Sequence, residues 1–516
     1  MYKSINIISR ASILAKIQAE MVGEAINKTF PEISINYVNT KTSGDLDQQL
    51  DISSGNTIGV FTSDISKKVE QSSNSIAVHS WKDFPILTSG KTNIYGALKR
   101  ADMRDMLVLK NNLKDHKYIK QFTVMTSSPR RRYSIENHLK ELLPIDYDNI
   151  NFKDIRGNID TRLNKFLKSD AHGIVIAKAA IDRILNDSKN NLKAKTLIKK
   201  CLKMHHSIIL PLSIFPSAPA QGAIGIEVAN SNKDLIKIVK SINHIKTFDN
   251  VCLERKIMSA YGGGCSQKIG VSIWEKNKRK VKSINGLTED NIKLETFEMI
   301  VSSKERTSLK PIVNISKAFP IGRNEQSIFK RLQTNKNNEI SKIKNSIVYI
   351  TRKTVLTHIP KFDESCILIT SGVKTWKSSA KRGYWISGTS DSLGQSEITK
   401  LKTLFGEKNI IKLTFSNEFS TSKDSIDLYK LKEPKFPKDI EQREAFFWMS
   451  PYAFRTAVKM YPSILNKRHS CGMGNTYNQI KELIKDKKTL TPYLSYEDWL
   501  NTLETVSYTH LTLPTI

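Results

Sequence analysis

The N-terminal stretch SINIISRASILAKIQAEMVGEAINKTFPEISINYV, Ser4–Val38, changes its periodicity twice. Ser4–Ser9 is a short apolar run typical of a strand, Ala11–Phe30 has helical spacing, and Ile33–Val38 is again strand-like. A strand, a helix and a strand in this order make the unit from which parallel sheets are built. The stretch therefore predicts an α/β fold.

The same alternation continues along the chain, which favours α/β layers with mostly parallel sheets. Further strand-like runs lie at Ile76–Val78, Val124–Thr126, Gly173–Ala177 and Ala223–Val228, and helical patterns lie at Arg131–Leu142 and Thr161–Leu167. A polar segment around Gln333–Lys344 predicts a linker, and a second α/β pattern runs from Ser346–Thr351 to about Leu503. The last ten residues, SYTHLTLPTI, fit neither pattern and are expected to be a non-native tail.

Composition argues against several classes of protein. The longest apolar run, Ile208–Phe215, is too short to span a bilayer, and MYKSINIISRAS lacks the apolar core of a signal peptide, so we expect a cytoplasmic protein. The five cysteines are scattered and form no CxxC pair, so neither a disulfide framework nor a metal site is expected.

The net charge of +31 fits three interpretations: nucleic-acid binding, a polyanionic small substrate, or a general lysine bias. The lysines are spread along the chain and form no basic arm with interleaved aromatic residues, which argues against nucleic acid. The arginines discriminate better, because guanidinium groups grip carboxylates and phosphates through paired hydrogen bonds.

The arginines cluster where strands give way to helices. SSPRRR, Ser127–Arg132, combines two hydroxyls with three guanidiniums, and DIRGNIDTRL, Asp154–Leu163, adds Arg156 and Arg162. Arg10 and Ser12 follow the first strand, where the ligand crevice of an α/β sheet opens and a helix N-terminus favours anions. Each cluster alone is more often a solvated surface, but together they indicate a cleft for a ligand with several carboxylates or phosphates.

Three other motifs leave alternatives open. AVHSWKDFP, Ala77–Pro85, ends in an acid, Asp83, that either stabilises a cation in the cleft or simply belongs to a turn. SAPAQGAIGIE, Ser217–Glu227, lets the backbone at Gln221 approach a ligand or forms a crossover between domains. YGGGCSQKIG, Tyr261–Gly270, puts Cys265 behind three glycines, with no catalytic base beside it in the sequence.

These motifs, in this order over about residues 1–320, resemble the hydroxymethylbilane synthase (porphobilinogen deaminase) family. The resemblance also includes RASILAKIQ, Arg10–Gln18, and KRADMRDMLV, Lys99–Val108. It implies a transferase of porphyrin, tetrapyrrole and heme biosynthesis. Such an enzyme joins four porphobilinogen molecules with loss of ammonia and releases hydroxymethylbilane by hydrolysis.

The resemblance also implies a role for each matching residue. Cys265 would carry a dipyrromethane cofactor through a covalent thioether, and Asp83 would be the catalytic carboxylate that binds pyrrole N–H groups and stabilises a cationic azafulvene. The cofactor-binding positions would be Cys265, Arg10, Ser12, Lys82, Asp83, Thr126, Ser128, Arg130, Arg131, Arg156 and Arg162. Substrate would bind at Arg10, Arg156, Arg162 and Gln221. The partners expected are porphobilinogen and polycarboxylate pyrrole intermediates, with no nucleic acid, no membrane and a monomeric chain.

The family's architecture implies three deaminase domains, two of them α/β domains like those of periplasmic binding proteins and the third a small α+β domain that carries the cofactor cysteine. The expected boundaries are 1–98 plus 219–234 for domain 1, 103–207 for domain 2, 235–325 for domain 3, 326–344 for the linker, 345–506 for a further module and 507–516 for the tail.

Residues 345–506 resemble uroporphyrinogen-III synthase, a two-lobed α/β enzyme. FFWMSPYAFRTAVKMYP, Phe446–Pro462, and CGMGNTYNQIKELI, Cys471–Ile484, each place a Ser or Gly turn before a helix start, although ordinary βα loops do the same. The candidate residues of this module are Ser450, Asn475, Thr476 and Tyr477. The expectation is a bifunctional chain whose second activity is cyclisation to uroporphyrinogen III. The alternatives are an inactive or structural module and, with less support, a non-catalytic anion-binding protein.

Overall fold

The computed structural model describes residues 2–40, 62–86, 90–187, 191–263, 267–300, 314–356, 359–416, 424–484 and 489–504. The predicted cofactor cysteine, Cys265, and the predicted tail lie outside these residues. The chain divides into two compact units. The N-terminal unit comprises Met1–Trp274 and Lys282–Phe297, and the C-terminal unit comprises Glu275–Val281 and Glu298–Ile516.

The first sheet of the N-terminal unit is mixed, with two parallel and two antiparallel strand pairs. Its strands are β1 (Ser4–Arg10), β2 (Ser34–Thr40), β3 (Ser75–Ser80), β4 (Thr92–Ala97) and, from much later in the chain, β10 (Ile224–Ala229). Their order is β2-β1-β3-β10-β4, with β1 parallel to β2 and β3, and β10 antiparallel to β3 and β4. Helix α1 (Ile13–Thr29) begins after Ser12, whose hydroxyl accepts a hydrogen bond from the Ala15 amide at 3.3 Å.

The second sheet repeats this arrangement. Its strands are β5 (Asp105–Lys110), β6 (Tyr118–Met125), β7 (Asp146–Lys153), β8 (Gly173–Ala177) and β9 (His205–Ile209), in the order β7-β6-β8-β5-β9. As with β1, the strand β6 lies between two parallel neighbours, and β5 is antiparallel to β8 and β9. Among the described residues before 242, the other helices are α2 (Ser63–Glu70), α3 (Pro129–His138), α4 (Ile159–Lys168), α5 (Lys178–Asn186), α6 (Leu192–Met204) and α7 (Lys233–Ser241).

The chain crosses between the two sheets twice, and the crossings touch at Gly222. Gly222 has a φ of +82°, and a Cβ added there would lie 2.9 Å from the carbonyl oxygen of Ala101. The Ala101 amide donates to the Gly222 carbonyl oxygen at 3.0 Å. Only glycine combines this φ with so close an approach, so Gly222 fixes the backbone next to Gln221.

A smaller part of the fold follows, with helix α8 (Ile245–Ser259) and a sheet of β11 (Gly270–Lys276), β12 (Arg279–Leu287) and β13 (Lys293–Ile300) in that order. Glu254 on α8 is fully buried and accepts hydrogen bonds from both terminal nitrogens of Arg100 at 2.7 and 2.9 Å. It also accepts from the backbone amides of Ala220 and Ile273, at 2.8 and 2.6 Å. One buried carboxylate therefore ties both crossing segments to α8 and β11.

The C-terminal unit contains two further sheets. The first has the order β15-β20-β19-β16-β17-β18, and in it only the pair β15–β20 of the described residues is antiparallel. The second has the order β14-β21-β22-β23, with all neighbours parallel. The strands are β14 (Ala318–Phe319), β15 (Phe329–Gln333), β16 (Ile347–Ile350), β17 (Ile367–Thr370), β18 (Ile386–Thr389), β19 (Ile410–Ser416), β20 (Ser425–Pro434), β21 (Ala445–Trp448), β22 (Arg468–Gly472) and β23 (Leu490–Tyr493). The helices are α9 (Gly322–Gln326), α10 (Asn337–Ser341), α11 (Val373–Ala380), α12 (Lys402–Phe405), α13 (Pro451–Met460), α14 (Asn475–Leu483) and α15 (Tyr496–Glu504).

The α/β class expected from the sequence is confirmed, but two expected boundaries differ from the structure. Residues 326–344, expected to be a linker, contribute β15 to the six-stranded sheet. Residues 318–319, expected to belong to deaminase domain 3, form β14 and pair with β21. Strand β15 lies at a sheet edge, and its residues after Phe329 are exposed. Because exposed positions are polar, the sequence of this strand resembles that of a linker.

Helix ends also shift by a few residues. The helix expected at Arg131–Leu142 begins at Pro129, because Ser128 caps it, and gives way to a 3₁₀ turn at Leu139–Leu142. Within the ranges that the structure describes, none of the helices is both long and apolar enough to cross a bilayer.

Candidate active site

The turn that carries Asp83 follows directly from β3. Trp81 to Asp83 form a single 3₁₀ turn in which Trp81 is buried, Lys82 is half-buried and the Asp83 side chain is exposed. The Trp81 ring packs against Phe248 with ring centroids 5.2 Å apart. The buried indole thus anchors the turn and leaves the carboxylate of Asp83 at the surface.

Behind this turn lies a buried pair, His79 and Glu227. The two side chains meet at 2.7 Å, and Thr92 donates its hydroxyl to Glu227 at 2.6 Å. Burial opposes the charge on Glu227, but the hydrogen bonds from His79 and its neighbours lower the pKa of the carboxyl below its usual value. The pair joins β3 to β10 and β4 and therefore holds the strand from which the Asp83 turn departs.

Arg255 of α8 holds the same turn from another side. Its Nη1 donates to the carbonyl oxygens of Phe84 at 3.0 Å and Trp81 at 3.4 Å, and its Nη2 donates to that of Pro85. A rigid guanidinium that binds three carbonyls within five residues fixes the backbone on both sides of Asp83.

The consecutive arginines Arg130 and Arg131 converge on one buried acid, Asp105. Arg130 donates to Oδ2 of Asp105 at 2.8 Å, and Arg131 donates to Oδ1 at 2.7 Å. Although burial alone would raise it, the two guanidiniums hold the pKa of Asp105 well below its usual range. The other terminal nitrogen of Arg130 donates to the Pro216 carbonyl oxygen at 2.8 Å, so both of its terminal nitrogens already have protein partners.

Gln221, expected at the substrate, belongs to this buried cluster. Its amide nitrogen donates to Oδ1 of Asp105 at 2.9 Å and to the Met103 carbonyl oxygen at 2.7 Å, and the side chain is 2% exposed. The buried amide of Gln221 thus supports Asp105, the shared partner of Arg130 and Arg131.

Arg162 is influenced electrostatically by one positive and one negative side chain, Arg131 and Asp83. Burial lowers the pKa of Arg162, the nearby Arg131 lowers it further, and the carboxylate of Asp83 opposes both effects. Its Nε donates to the Gly157 carbonyl oxygen at 2.7 Å, which directs the guanidinium from the start of α4. The turn after β3 thus brings Asp83 within electrostatic range of Arg162 on α4, which Arg131 on α3 also influences.

The remaining expected residues of this unit lie at strand ends and helix starts. Arg10 is half-buried at the end of β1, and Arg156 is half-buried just before α4. Ser12 and Ser128 cap α1 and α3, and Thr126 is buried and accepts from the Ser128 amide at 3.3 Å. Two capped N-termini add backbone dipoles that favour anions beside the arginines.

Cys265 lies outside the described residues, but the chain just before it is placed. Gly263 has a φ of +66°, and a Cβ added there would contact the Ile86 side chain at 3.7 Å. Ile86 follows Asp83 by three residues and packs against the core that contains Met258 and Ile269. The glycine stretch therefore approaches the end of the Asp83 turn.

Sequence reasoning missed several supporting residues. Asp105, Arg255 and Gln18 were not singled out, although Asp105 and Gln18 lie inside quoted motifs. Gln18 is 1% exposed and exchanges hydrogen bonds with the Ser80 hydroxyl at 2.9 and 3.1 Å, which links α1 to the end of β3. A polar residue on the buried face of α1 was the available signal for Gln18.

Arg183 of α5 was also missed. It is 8% exposed, its Nη2 donates to the Gly222 carbonyl oxygen at 2.7 Å, and its buried Nε makes no hydrogen bond to the described residues. Burial lowers the pKa of Arg183 to about 10.

The candidate residues of the C-terminal unit fall into two places. Ser450 caps α13 by accepting from the Ala453 amide at 3.2 Å, and it lines a cavity together with Arg331 and Arg352. Asn475, Thr476 and Tyr477 form the first turn of α14, after Gly474, and are not among the described residues that line this cavity. The structure therefore brings Ser450, but not the other three, to the cavity.

Comparison with known proteins finds relatives of the N-terminal part of the chain. Residues 5–237 match the family model for the dipyrromethane cofactor-binding domain of porphobilinogen deaminase. A probable porphobilinogen deaminase of Picrophilus torridus is 34% identical over 267 residues, which cover 52% of this chain and 84% of that protein. The porphobilinogen deaminase of Chlorobium phaeovibrioides is also 34% identical, over 270 residues that cover 52% of this chain and 79% of that protein.

Among solved structures, the probable extracellular-binding protein YtmK of Bacillus subtilis is 10% identical and covers 50% of this chain and 97% of its own, with a TM-score of 0.26. A TM-score this low does not establish a common fold, so the family assignment depends on the sequence matches. On these matches, the chain belongs to the porphobilinogen deaminase family.

Proposed function

We propose that the chain is a hydroxymethylbilane synthase that joins four porphobilinogen molecules head to tail, with loss of one ammonia for each, and releases the product by hydrolysis. The observation that carries the proposal is the electrostatic coupling of Arg162 to both Asp83 and Arg131, because it puts an acid from the first sheet near cations from the second. Each porphobilinogen carries two carboxylates and loses ammonia through a cationic species. Both properties match this charge pattern.

The donors beside Asp83 suit the dipyrromethane cofactor, which carries several carboxylates. Nη2 of Arg131 donates to Asp105 at 2.7 Å and its Nη1 donates to the Val175 carbonyl oxygen at 3.3 Å, while its buried Nε makes no hydrogen bond to the described residues. The residues that would hold the cofactor's acetates and propionates are Arg10, Ser12, Lys82, Thr126, Ser128, Arg131, Arg156 and Arg162, with Arg130 as a buried support. When bound through a thioether to Cys265, the cofactor supplies the free pyrrole carbon at which the chain grows.

Asp83 has the chemical role in this proposal. Its exposed carboxylate accepts hydrogen bonds from pyrrole N–H groups and stabilises the positive charge that develops as ammonia leaves. Arg162 next to it binds a substrate carboxylate and keeps the aminomethyl carbon in reach of Asp83. The buried supports, Arg255 and the pair His79–Glu227, hold the Asp83 turn in place.

A direct test is the intact mass of the chain purified from a host that makes tetrapyrroles. The wild-type chain should carry a covalent adduct that gives colour with Ehrlich's reagent. Cys265→Ser should lack it, and Cys252→Ser, which replaces an exposed cysteine on α8, should keep it. A wild-type chain with the bare polypeptide mass would overturn the proposal.

The assignment to Asp83 needs a separate assay. Asp83→Asn preserves the size of the side chain and should lower the rate of porphobilinogen consumption by about a hundredfold or more. Asp154→Asn removes an exposed carboxylate that pairs with Arg132 and should leave the rate unchanged.

We further propose that the C-terminal unit closes hydroxymethylbilane to uroporphyrinogen III. The observation in favour is the pair of largely parallel sheets with a cavity whose lining residues come from both. Uncatalysed closure of hydroxymethylbilane gives the type I isomer. The full chain should therefore convert porphobilinogen mainly to the type III product, as measured by chromatography of the oxidised porphyrins, whereas type I alone would indicate an inactive module.

A further inference from the structure

The cavity of the C-terminal unit opens between its two sheets. Its lining includes Arg331, Arg352, Phe415, Tyr429, Met449 and Ser450. The first four belong to the six-stranded sheet or its loops, and the last two follow β21 of the four-stranded sheet. A ligand here would touch both sheets.

The cavity contains two arginines, Arg331 and Arg352, for which the described residues supply no ion-pair partner. Arg331 lies two residues after the buried Phe329 on β15, so both side chains point to the same face of the strand. Among the described residues, none accepts a hydrogen bond from the guanidinium of Arg331 or Arg352. Burial lowers the pKa of Arg352, and the like charge of Arg331 lowers it further, against the opposing effect of Tyr429.

The acid in the lining does not neutralise this pair. Glu325 accepts a hydrogen bond from the Ile321 amide at 2.7 Å through Oε2, and its Oε1 lies 3.4 Å from Nη2 of Arg443. Its charge is thus already opposed by a third arginine. Two neighbouring cations in a concave, half-buried site are costly to hold without an anion between them.

The walls of the cavity are aromatic and add a second requirement for the ligand. The rings of Phe415 and Tyr429 stack with centroids 5.6 Å apart, and Tyr452 meets Phe415 edge-on at 5.9 Å. Ser450 caps the ten-residue helix α13, whose N-terminal dipole favours a negative group near the cavity. The aromatic rings beside the two arginines suit a ligand that combines ring systems with carboxylates.

We propose that Arg352 and Arg331 bind carboxylate side chains of a pyrrole-ring polycarboxylate in this cavity. This inference rests on the cyclisation proposed above and deepens it, because it names the residues that would hold the substrate's acidic groups. Arg352, half-buried, forms the stronger contact, and Arg331, at the exposed edge strand, forms the weaker one.

The test is a titration of the full chain with uroporphyrin I, a stable planar octacarboxylate, followed by its fluorescence polarisation. Arg352→Gln should weaken binding by about ten- to a hundredfold, since a charge-assisted hydrogen bond is lost in a desolvated place. Arg331→Gln, which is exposed and should not disturb folding, should weaken it by about two- to fivefold. Lys330→Gln removes the same charge from the opposite face of β15 and should have no effect.

Uroporphyrin could also bind at the proposed deaminase site around Asp83. That binding should be unchanged in all three variants and should appear in the titration as a separate class of sites. The proposal is overturned if Arg352→Gln binds uroporphyrin like the wild type, or if Lys330→Gln weakens binding as much as Arg331→Gln. It is also overturned if the wild-type chain binds uroporphyrin only in the proposed deaminase site around Asp83. Binding at that site is recognisable because Arg162→Gln should weaken it.

The same variants separate this inference from the proposed second activity. If uroporphyrin binding depends on Arg352 while the wild-type chain yields only type I product, the binding pair stands and the cyclisation fails. If Arg352→Gln makes type III product at the wild-type rate and binds uroporphyrin normally, the cyclisation stands and the pair fails.

Discussion

Nη1 of Arg255 donates to the carbonyl oxygen of Phe84 at 3.0 Å, across 171 positions of sequence. The adjacent residue on α8, Glu254, binds both terminal nitrogens of Arg100. The same helix ends shortly before Gly263, which approaches Ile86. One helix therefore positions the Asp83 turn, the crossing between the two sheets and the glycine stretch that precedes Cys265.

Arg255→Gln should lower kcat for porphobilinogen consumption by about tenfold, because the Asp83 turn loses its three-carbonyl anchor and small misplacements of a reacting group are costly. KM should change less, since the arginines proposed to bind the substrate carboxylates lie elsewhere. Steady-state kinetics with Ehrlich's reagent would measure both constants. Lys256→Gln, the exposed neighbour on α8, is the control. Equal loss of activity in the two variants would contradict a role specific to Arg255.

Asp105→Asn should destabilise the N-terminal unit by about 3 kcal/mol or more, because it leaves Arg130 and Arg131 buried without their shared counter-charge. Urea unfolding followed by fluorescence would give the free energy of unfolding. Asp154→Asn breaks an exposed ion pair and should not change it measurably. A stable Asp105→Asn chain with normal activity would show that the cluster does not preorganise Arg131.

Arg162→Gln should raise KM for porphobilinogen by about tenfold, because the side chain beside Asp83 would no longer pair with a substrate carboxylate. Arg162→Lys should recover part of the loss, since it restores the charge but not the paired donors. Lys165→Gln, on the exposed side of the same helix, should behave like the wild type. An effect confined to kcat would instead favour a role in the chemical step.

The sequence predicts the local elements well where the periodicity is clean. The strand, helix and strand of Ser4–Val38 appear as β1, α1 and β2, with α1 shortened to Ile13–Thr29 because Ser12 serves as its cap. The strand β15 was missed because an edge strand with one buried residue carries no alternating pattern. A sequence pattern therefore locates a helix or strand only when buried residues recur along it at the spacing of that element.

The site was predictable only in part, for a related reason. Motif residues such as Asp83, Arg131 and Arg162 could be named from the sequence, but their supports depend on contacts between distant segments. Gln221, for which the family resemblance implied a substrate contact, donates its buried side-chain amide to Asp105 across 116 positions. No local pattern distinguishes these two uses of an amide.

The C-terminal unit contains a histidine that should make its stability depend on pH. Trp448 donates its indole N–H to Nδ1 of His469 at 3.0 Å, and the other ring nitrogen lies 3.2 Å from the Leu465 carbonyl oxygen, an arrangement that requires the neutral ring. Burial lowers the pKa of His469 to about 4. In the unfolded chain the pKa is about 6.5, so the unfolded state binds more protons between these values. The contribution is fully present above about pH 6.5 and is lost as the pH falls towards 4.

From pH 7 to pH 5, this group should therefore reduce the free energy of unfolding of the C-terminal unit by about 2 kcal/mol. Urea unfolding at the two pH values would measure the change. His469→Gln should be less stable at pH 7 and should lose most of this difference, whereas His116→Gln, which replaces an exposed histidine of the N-terminal unit, should retain it. The substitution removes the imidazole and therefore any pH dependence that comes from protonation of His469. If the pH dependence of the free energy of unfolding is unchanged in His469→Gln, other groups account for the acid sensitivity.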